Sequence, residues 1–188
     1  EMAAKKENRT HGFVPWAGVA AKIGEEYEAN MDNSLRSADV YGGKCISLEG
    51  RAFCFLPLPV KTGLPVHVNA YFELSSNRRD IWYGDDMAGG GKLRSEWNCC
   101  LLKEVSSCAY VHLLAKMACE LGPYDEYFSL WPTGSPPEPW NILLRNVYLS
   151  AVEMDIPLLY TTARGGLWIS PKKAVFPDYS YLLAVDMH

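Results

Sequence analysis

Apolar and polar positions alternate most cleanly between Val66 and Leu74. Val66, Val68, Ala70, Phe72 and Leu74 fall on one side, and His67, Asn69, Tyr71 and Glu73 on the other. Period two predicts a strand with one buried face and one wet or partly covered face. Upstream, an apolar run with Phe53 and Phe55 predicts a strand over Arg51–Leu58. Pro57 and Pro59 remove backbone donors there and end any central pairing. Glu49-Gly50 reads as a hairpin turn after a strand near Lys44–Leu48, and Thr62-Gly63 as a second turn. Ser75-Ser76-Asn77 breaks the long strand, Arg78, Arg79 and Asp80 occupy the turn, and Ile81–Tyr83 is a short strand. The apolar stretch Phe13–Ala21 suits a strand or a segment tucked against the core.

Periodicity then changes to the helical repeat. Trp97, Leu101, Val105, Ala109, Leu113, Met117 and Leu121 recur at every fourth position, widened by Leu102, Cys108 and His112. This predicts one helix over Ser95–Leu121, with Ser95 as N-cap, a bend at Ser106-Ser107 and a stop at Gly122-Pro123. Tyr124–Trp131 is aromatic, and Pro132–Pro137 is a loop. Pro139 opens a helix with Trp140, Leu143, Leu144, Val147, Ala151 and Val152 inside. Pro157–Thr161 and Leu167–Ile169 form a strand pair across Ala163–Gly166, where Gly165 or Gly166 supplies positive φ. Ser170-Pro171 starts another turn of helix, and Asp178 caps a last one. The order implies an α+β fold: a mixed or antiparallel sheet packed with a long helix over 1–122, then a smaller αββα lobe over 123–188. Both lobes are expected within one compact unit.

Composition narrows the classes. The 188 residues are 48% hydrophobic and 21% charged, enough for a core without disulfides or metals. Net charge is −4 and the basic pairs Lys5-Lys6, Arg78-Arg79 and Lys172-Lys173 are dispersed. This argues against a nucleic-acid or anionic-membrane surface. The six cysteines include no Cys-x-x-Cys pair, which points to free thiols in a reducing compartment. No apolar run reaches transmembrane length and no signal-peptide pattern is present. The start at Glu1 and the stop at His188, just past the apolar stretch Tyr181–Val185, suggest an excised piece of a longer cytoplasmic protein.

Candidate chemistry is sparse. Gly89-Gly90-Gly91-Lys92 fails as a phosphate loop: the required first glycine falls at Asp86 and the required Ser or Thr at Leu93. A flexible strand–helix connection is the better reading. Cys108 and His112 have ligand spacing on a helix, but two ligands do not make a metal site. Asp85-Asp86 reads as solvated acid, and His67 stands alone on its polar face. No nucleophile elbow or triad order is present. Arg78 and Arg79 are the best ligand-binding candidates, because guanidinium groups fixed at a turn reach carboxylates or phosphates on another domain. Surface ion pairing with Asp80, Asp85 or Asp86 is the plainer reading. With 6 Trp and 11 Tyr, some aromatics are expected to meet a neighbouring domain. The plainer reading puts Trp16, Trp97, Trp131, Trp140 and Trp168 all in the core.

Three segments carry a family resemblance: Gly12–Ala17, Gly50–Leu102, and Tyr127–Trp131 continuing through Arg164–Ser170. The blocks Phe55–Val60, Gly63–Val68 and Ser76–Arg79 are the most distinctive. They resemble the repeat regions of the sacsin family, very large cytosolic chaperone-like proteins. Each such repeat opens with an ATPase module like that of the ninety-kilodalton heat-shock chaperone. The chain lacks that module's Asn-box and Gly-box residues, so the resemblance implies the part that follows it, similar to a chaperone middle domain. It implies a non-catalytic structural and interaction module supporting protein folding and quality control, with no cofactor. The alternative is a transducer that donates a basic residue to the neighbouring nucleotide site. Implied partners are adjacent domains of the same chain and, through the parent protein, seventy-kilodalton heat-shock machinery and clients, with no nucleic acid or membrane.

Overall fold

A computed structural model describes residues 12–23, 48–84 and 90–175. Four strands form one mixed sheet: β1 (Ala17–Ala20), β2 (Arg51–Cys54), β3 (Leu56–Lys61) and β4 (His67–Ala70), in the order β1-β4-β2-β3. β1 and β4 are antiparallel, with Gly18 opposite Asn69 and Ala20 opposite His67. β2 runs parallel to β4, with Ala52 opposite Val68 and Phe53 opposite Asn69. The alternation read from sequence governs this sheet. Val66, Val68, Ala70 and Phe72 are buried, whereas His67, Asn69 and Tyr71 lie on the other face. The short strand expected at Ile81–Tyr83 contracts to a single bridge between Leu74 and Ile81. The strand near Lys44–Leu48 (all but Leu48), the acids Asp85 and Asp86, and the cap at Asp178 lie outside the described residues.

The expected strand Arg51–Leu58 is two strands. The chain reverses at Phe55, whose φ is 61°. A non-glycine residue in that region costs about 1–3 kcal/mol. The Phe55 N–H donates to Asn69 Oδ1 at 3.1 Å, and its ring meets Tyr71 edge-on at 4.7 Å, which offsets the cost. Pro57 and Pro59 therefore do not end a strand. They sit within β3, the edge strand, where a missing N–H breaks no ladder.

The helical span over 90–121 comprises α1 (Gly90–Cys100), a π-helical turn (Leu101–Ser106) and α2 (Ser107–Leu121). It ends at Gly122, φ 72°, as the sequence predicts. Ser95 is not its cap. It lies buried within α1, where its Oγ accepts the Gly84 N–H at 3.1 Å. The bend expected at Ser106-Ser107 takes the form of the π turn, and Ser107 Oγ bonds back to the Lys103 carbonyl. A π turn uses more residues per turn and shifts the downstream face by about one position. The buried residues are accordingly Leu101 and Leu102, then Ser106 and Ser107, Tyr110 and Val111, Leu114, and Met117 and Ala118. Val105, Ala109 and Leu113, expected inside, are only half-buried, and His112 is exposed.

A short helix α3 (Asp125–Phe128) leads to α4 (Trp140–Met154), which Pro139 opens as expected. Trp140, Leu143, Val147 and Ala151 face inward; Leu144 is half-buried and Val152 faces out. The hairpin β5 (Leu159–Thr161) and β6 (Leu167–Ile169) follows, with Gly165 and Gly166 both at positive φ. One hydrophobic cluster runs from Ala52 to Leu158 and takes side chains from both sides of position 122. Trp140 meets Phe72 edge-on at 5.9 Å, and Tyr110 Oη donates to the Leu130 carbonyl at 2.7 Å.

The buried tyrosines make this core alkali-sensitive. Burial pushes the Tyr127 phenol up to about 12 and raises that of Tyr110 as well. An unfolded tyrosine ionises near about 10. A folded pKa raised above the unfolded one gives stability that is full below about 10 and lost as pH rises towards about 12. Tyrosinate absorbance should therefore show these two phenols ionising only as circular dichroism reports unfolding. Ionisation of every tyrosine near about 10 with the fold intact would contradict this burial.

Candidate interaction surface

The sheet has two unlike faces. The inner face packs on the long helix and α4; the outer face collects Trp16, Gly18, Ala20, Phe53, Phe55, His67, Asn69 and Tyr71. The plainer sequence reading puts Trp16 in the core with Trp97, Trp131, Trp140 and Trp168, but it is 45% exposed. It precedes β1 on the wet side, where its ring meets Tyr71 edge-on at 5.7 Å and lies within 3.6 Å of where a Gly18 Cβ would stand. Trp97 and Trp140 are core, and Trp131 and Trp168 are half-buried.

Between Trp16 and Phe53 the surface sinks into an open groove of about 310 Å³. Its floor crosses β1, β4 and β2. Glycine and alanine at 18 and 20 keep it low, and His67 and Asn69 supply its polar groups. Both are held by backbone. His67 Nδ1 accepts the Arg51 N–H at 3.0 Å, so the neutral ring carries its proton on Nε2. Its ring also meets Phe53 edge-on at 5.3 Å. Asn69 Oδ1 accepts the Phe55 N–H, which leaves its amide NH₂ to donate. Sequence reading left His67 alone and did not single out Asn69. The groove is made by register between strands far apart in the chain, and no local spacing encodes it.

Arg78 and Arg79 lie elsewhere, on the exposed turn after β4. Ser75 Oγ donates to Asn77 Oδ1, the Arg79 N–H donates to the same oxygen at 3.0 Å, and Arg78 adopts φ 54°. Among the described residues neither guanidinium forms an ion pair. The other basic residues near the helix start are engaged. Lys92 faces Glu96 at 4.0 Å, and Arg94 reaches Glu73 at 3.5 Å while its guanidinium lies 6.0 Å from the centre of the Trp82 ring.

Asn98 is a further position that sequence reading missed. It is fully buried at the sheet–helix junction, where Oδ1 accepts the Glu73 N–H and Nδ2 donates to the Glu73 and Trp82 carbonyls. It thereby replaces the ladder that Ile81–Tyr83 does not complete. Among the described residues Cys54, Cys99, Cys100, Cys108 and Cys119 form no disulfide, and Cys45 lies outside them. Burial raises the thiol pKa of Cys54 and of Cys100, which disfavours a reactive thiolate at either. Among the described residues, Cys108 and His112 gain no third ligand, and no helix is long and apolar enough to cross a membrane.

No family model and no solved structure matches the chain. Sacsin of Homo sapiens is 49% identical to it over 194 aligned residues, which take in 100% of this chain and 4% of that protein. The chain thus spans a small fraction of its relative's length. The match runs through the mixed sheet, the π-interrupted helix and the β5–β6 hairpin alike, so that along its whole length the chain is a sacsin-related segment.

Proposed function

We propose that the chain is a non-catalytic structural and interaction module of a large chaperone-like protein, acting in protein folding and quality control. The outer sheet face carries this reading. It holds Trp16, Phe53, Phe55 and Tyr71 around two oriented hydrogen-bond donors, a composition typical of interface centres. A mixed sheet followed by a long helix also suits a position like that of a chaperone middle domain, an analogy at the level of fold. Calorimetry with ATP tests the reading on the isolated chain. No binding heat is expected, because no glycine loop has phosphate-cradling spacing. Binding near one to one at micromolar ATP would overturn the reading.

A second reading rests on the Arg78-Arg79 turn. Two exposed guanidiniums held on a rigid turn, with Lys92 and Arg94 engaged nearby, suit a transducer that reaches a neighbour's phosphates. In a chain that includes the upstream ATPase module, Arg78→Ala or Arg79→Ala should then lower ATP turnover at least about tenfold, without a change in melting temperature. Unchanged turnover in both variants would leave the interaction module alone.

A further inference from the structure

We infer that the groove on the outer sheet face is a docking site for a proline-rich peptide in the polyproline II conformation. This deepens the interaction-module reading and rests on it. The argument is one of polarity. The acceptor atoms of the groove's two polar side chains, His67 Nδ1 and Asn69 Oδ1, are taken by the Arg51 and Phe55 backbone N–H groups. What remains is the Nε2–H of His67 and the amide NH₂ of Asn69, and among the described residues neither has a protein partner. The groove therefore offers donors and no side-chain acceptor. An ordinary peptide laid there would satisfy its carbonyls but strand every N–H turned to the floor, each at a desolvation cost. A proline has a carbonyl and no N–H, so it matches a donor-only floor.

Shape agrees with polarity. Trp16 and Phe53 form the two walls; the Trp16 ring leans over Gly18, and the small side chain of Ala20 keeps the rest of the floor low. Flat pyrrolidine rings pack well between aromatic walls, and a polyproline II segment is already extended, so little entropy is lost on docking. The carbonyls of such a segment point outward from its axis and can meet the donors of β4.

Decaproline titrated into the full 188-residue chain is the test, followed by NMR of the tryptophan indole, histidine ring and asparagine amide signals. Saturable shifts confined to Trp16, His67 and Asn69 are expected, with a Kd on the order of 100 µM. Asn69→Asp keeps the oxygen that holds Phe55 but turns the donor into an acceptor, and should weaken binding at least about tenfold. Gly18→Leu fills the floor and should weaken it comparably; the first added carbon meets the Trp16 ring at an ordinary 3.6 Å. Circular dichroism on both variants confirms that the fold is retained. No shift at millimolar decaproline, equal shifts with a Gly-Ser decamer, or binding indifferent to Asn69→Asp would each overturn the inference. So would shifts at the same residues on diluting the chain alone, since a second copy would then be the occupant. None of these outcomes touches the nucleotide calorimetry, so the two readings fail separately.

Discussion

Trp97→Ala is expected to destabilise the chain by about 3–5 kcal/mol, the range for emptying a buried large aromatic site. Trp97 is 1% exposed and is among the largest fully buried side chains. Its ring stacks on Phe13 at 4.7 Å with planes 7° apart, which ties the segment before β1 to the long helix. Its Nε1–H donates to the Tyr71 carbonyl at 3.2 Å, which ties the helix to the end of β4. Truncation leaves a cavity, a Tyr71 carbonyl without its indole donor and a loosened Phe13. Chemical denaturation should show a fall in midpoint, with the larger share of the loss recovered in Trp97→Phe, which refills most of the volume. A loss below about 1 kcal/mol for the alanine variant would place Trp97 outside the core.

Gly50→Val is expected to be worse tolerated still. Gly50 is buried immediately before β2; its N–H donates to the Leu64 carbonyl and its own carbonyl accepts the Thr62 N–H, both at 2.9 Å. A Cβ there would overlap the backbone oxygens of Leu64 and Val66 and stand 2.7 Å from Thr62 Oγ1. Two of these three neighbours are main chain, so neither can swing away, and the turn that returns β3 to β4 must open. Overpacking costs typically about 1–3 kcal/mol and more where backbone must move, so at least about 3 kcal/mol is expected, with loss of soluble yield. Gly90→Ala is the control. It meets nothing within 4 Å, and alanine in a helix is favoured over glycine, so its melting temperature should hold or rise. Normal stability of Gly50→Val would mean that the 62–66 segment does not close over position 50.

The contrast between these positions marks what the sequence could convey. The β4 face, the stop at Gly122, the start at Pro139 and the β5–β6 hairpin follow from period, proline and glycine, which act locally. The reversal at Phe55 does not, because a bulky aromatic at positive φ carries none of the usual turn chemistry and is held by Asn69 from another strand. The Ser106-Ser107 pair signals an irregularity, but the shift of face that the π turn imposes is invisible for a related reason. One extra residue in a turn shifts the buried stripe from Val105 and Ala109 to Ser106 and Tyr110, yet either stripe looks helical in sequence. Trp16 defeats prediction because hydrophobicity alone does not say whether a ring faces a core or an interface. Arg78 and Arg79 were legible as turn residues, and their exposure follows from that turn. The His67–Asn69 groove was not legible, since only the register of three strands brings its parts together.

The prolines of β3 have a last consequence, for what this sheet can become in a crowded solution. Among the described residues β3 is the open rim of the sheet, and β1, at the opposite rim, lies against the long helix. A strand arriving alongside β3 would look for a row of N–H groups to bond. At Pro57 and Pro59 it would find rings instead. Strand-by-strand growth, the elementary step of domain exchange and of amyloid, is thereby interrupted on the side where it could begin, even though Leu56 beside it is 71% exposed. A sheet that leaves aromatic rings exposed carries, in these two residues, a guard against sticking to copies of itself.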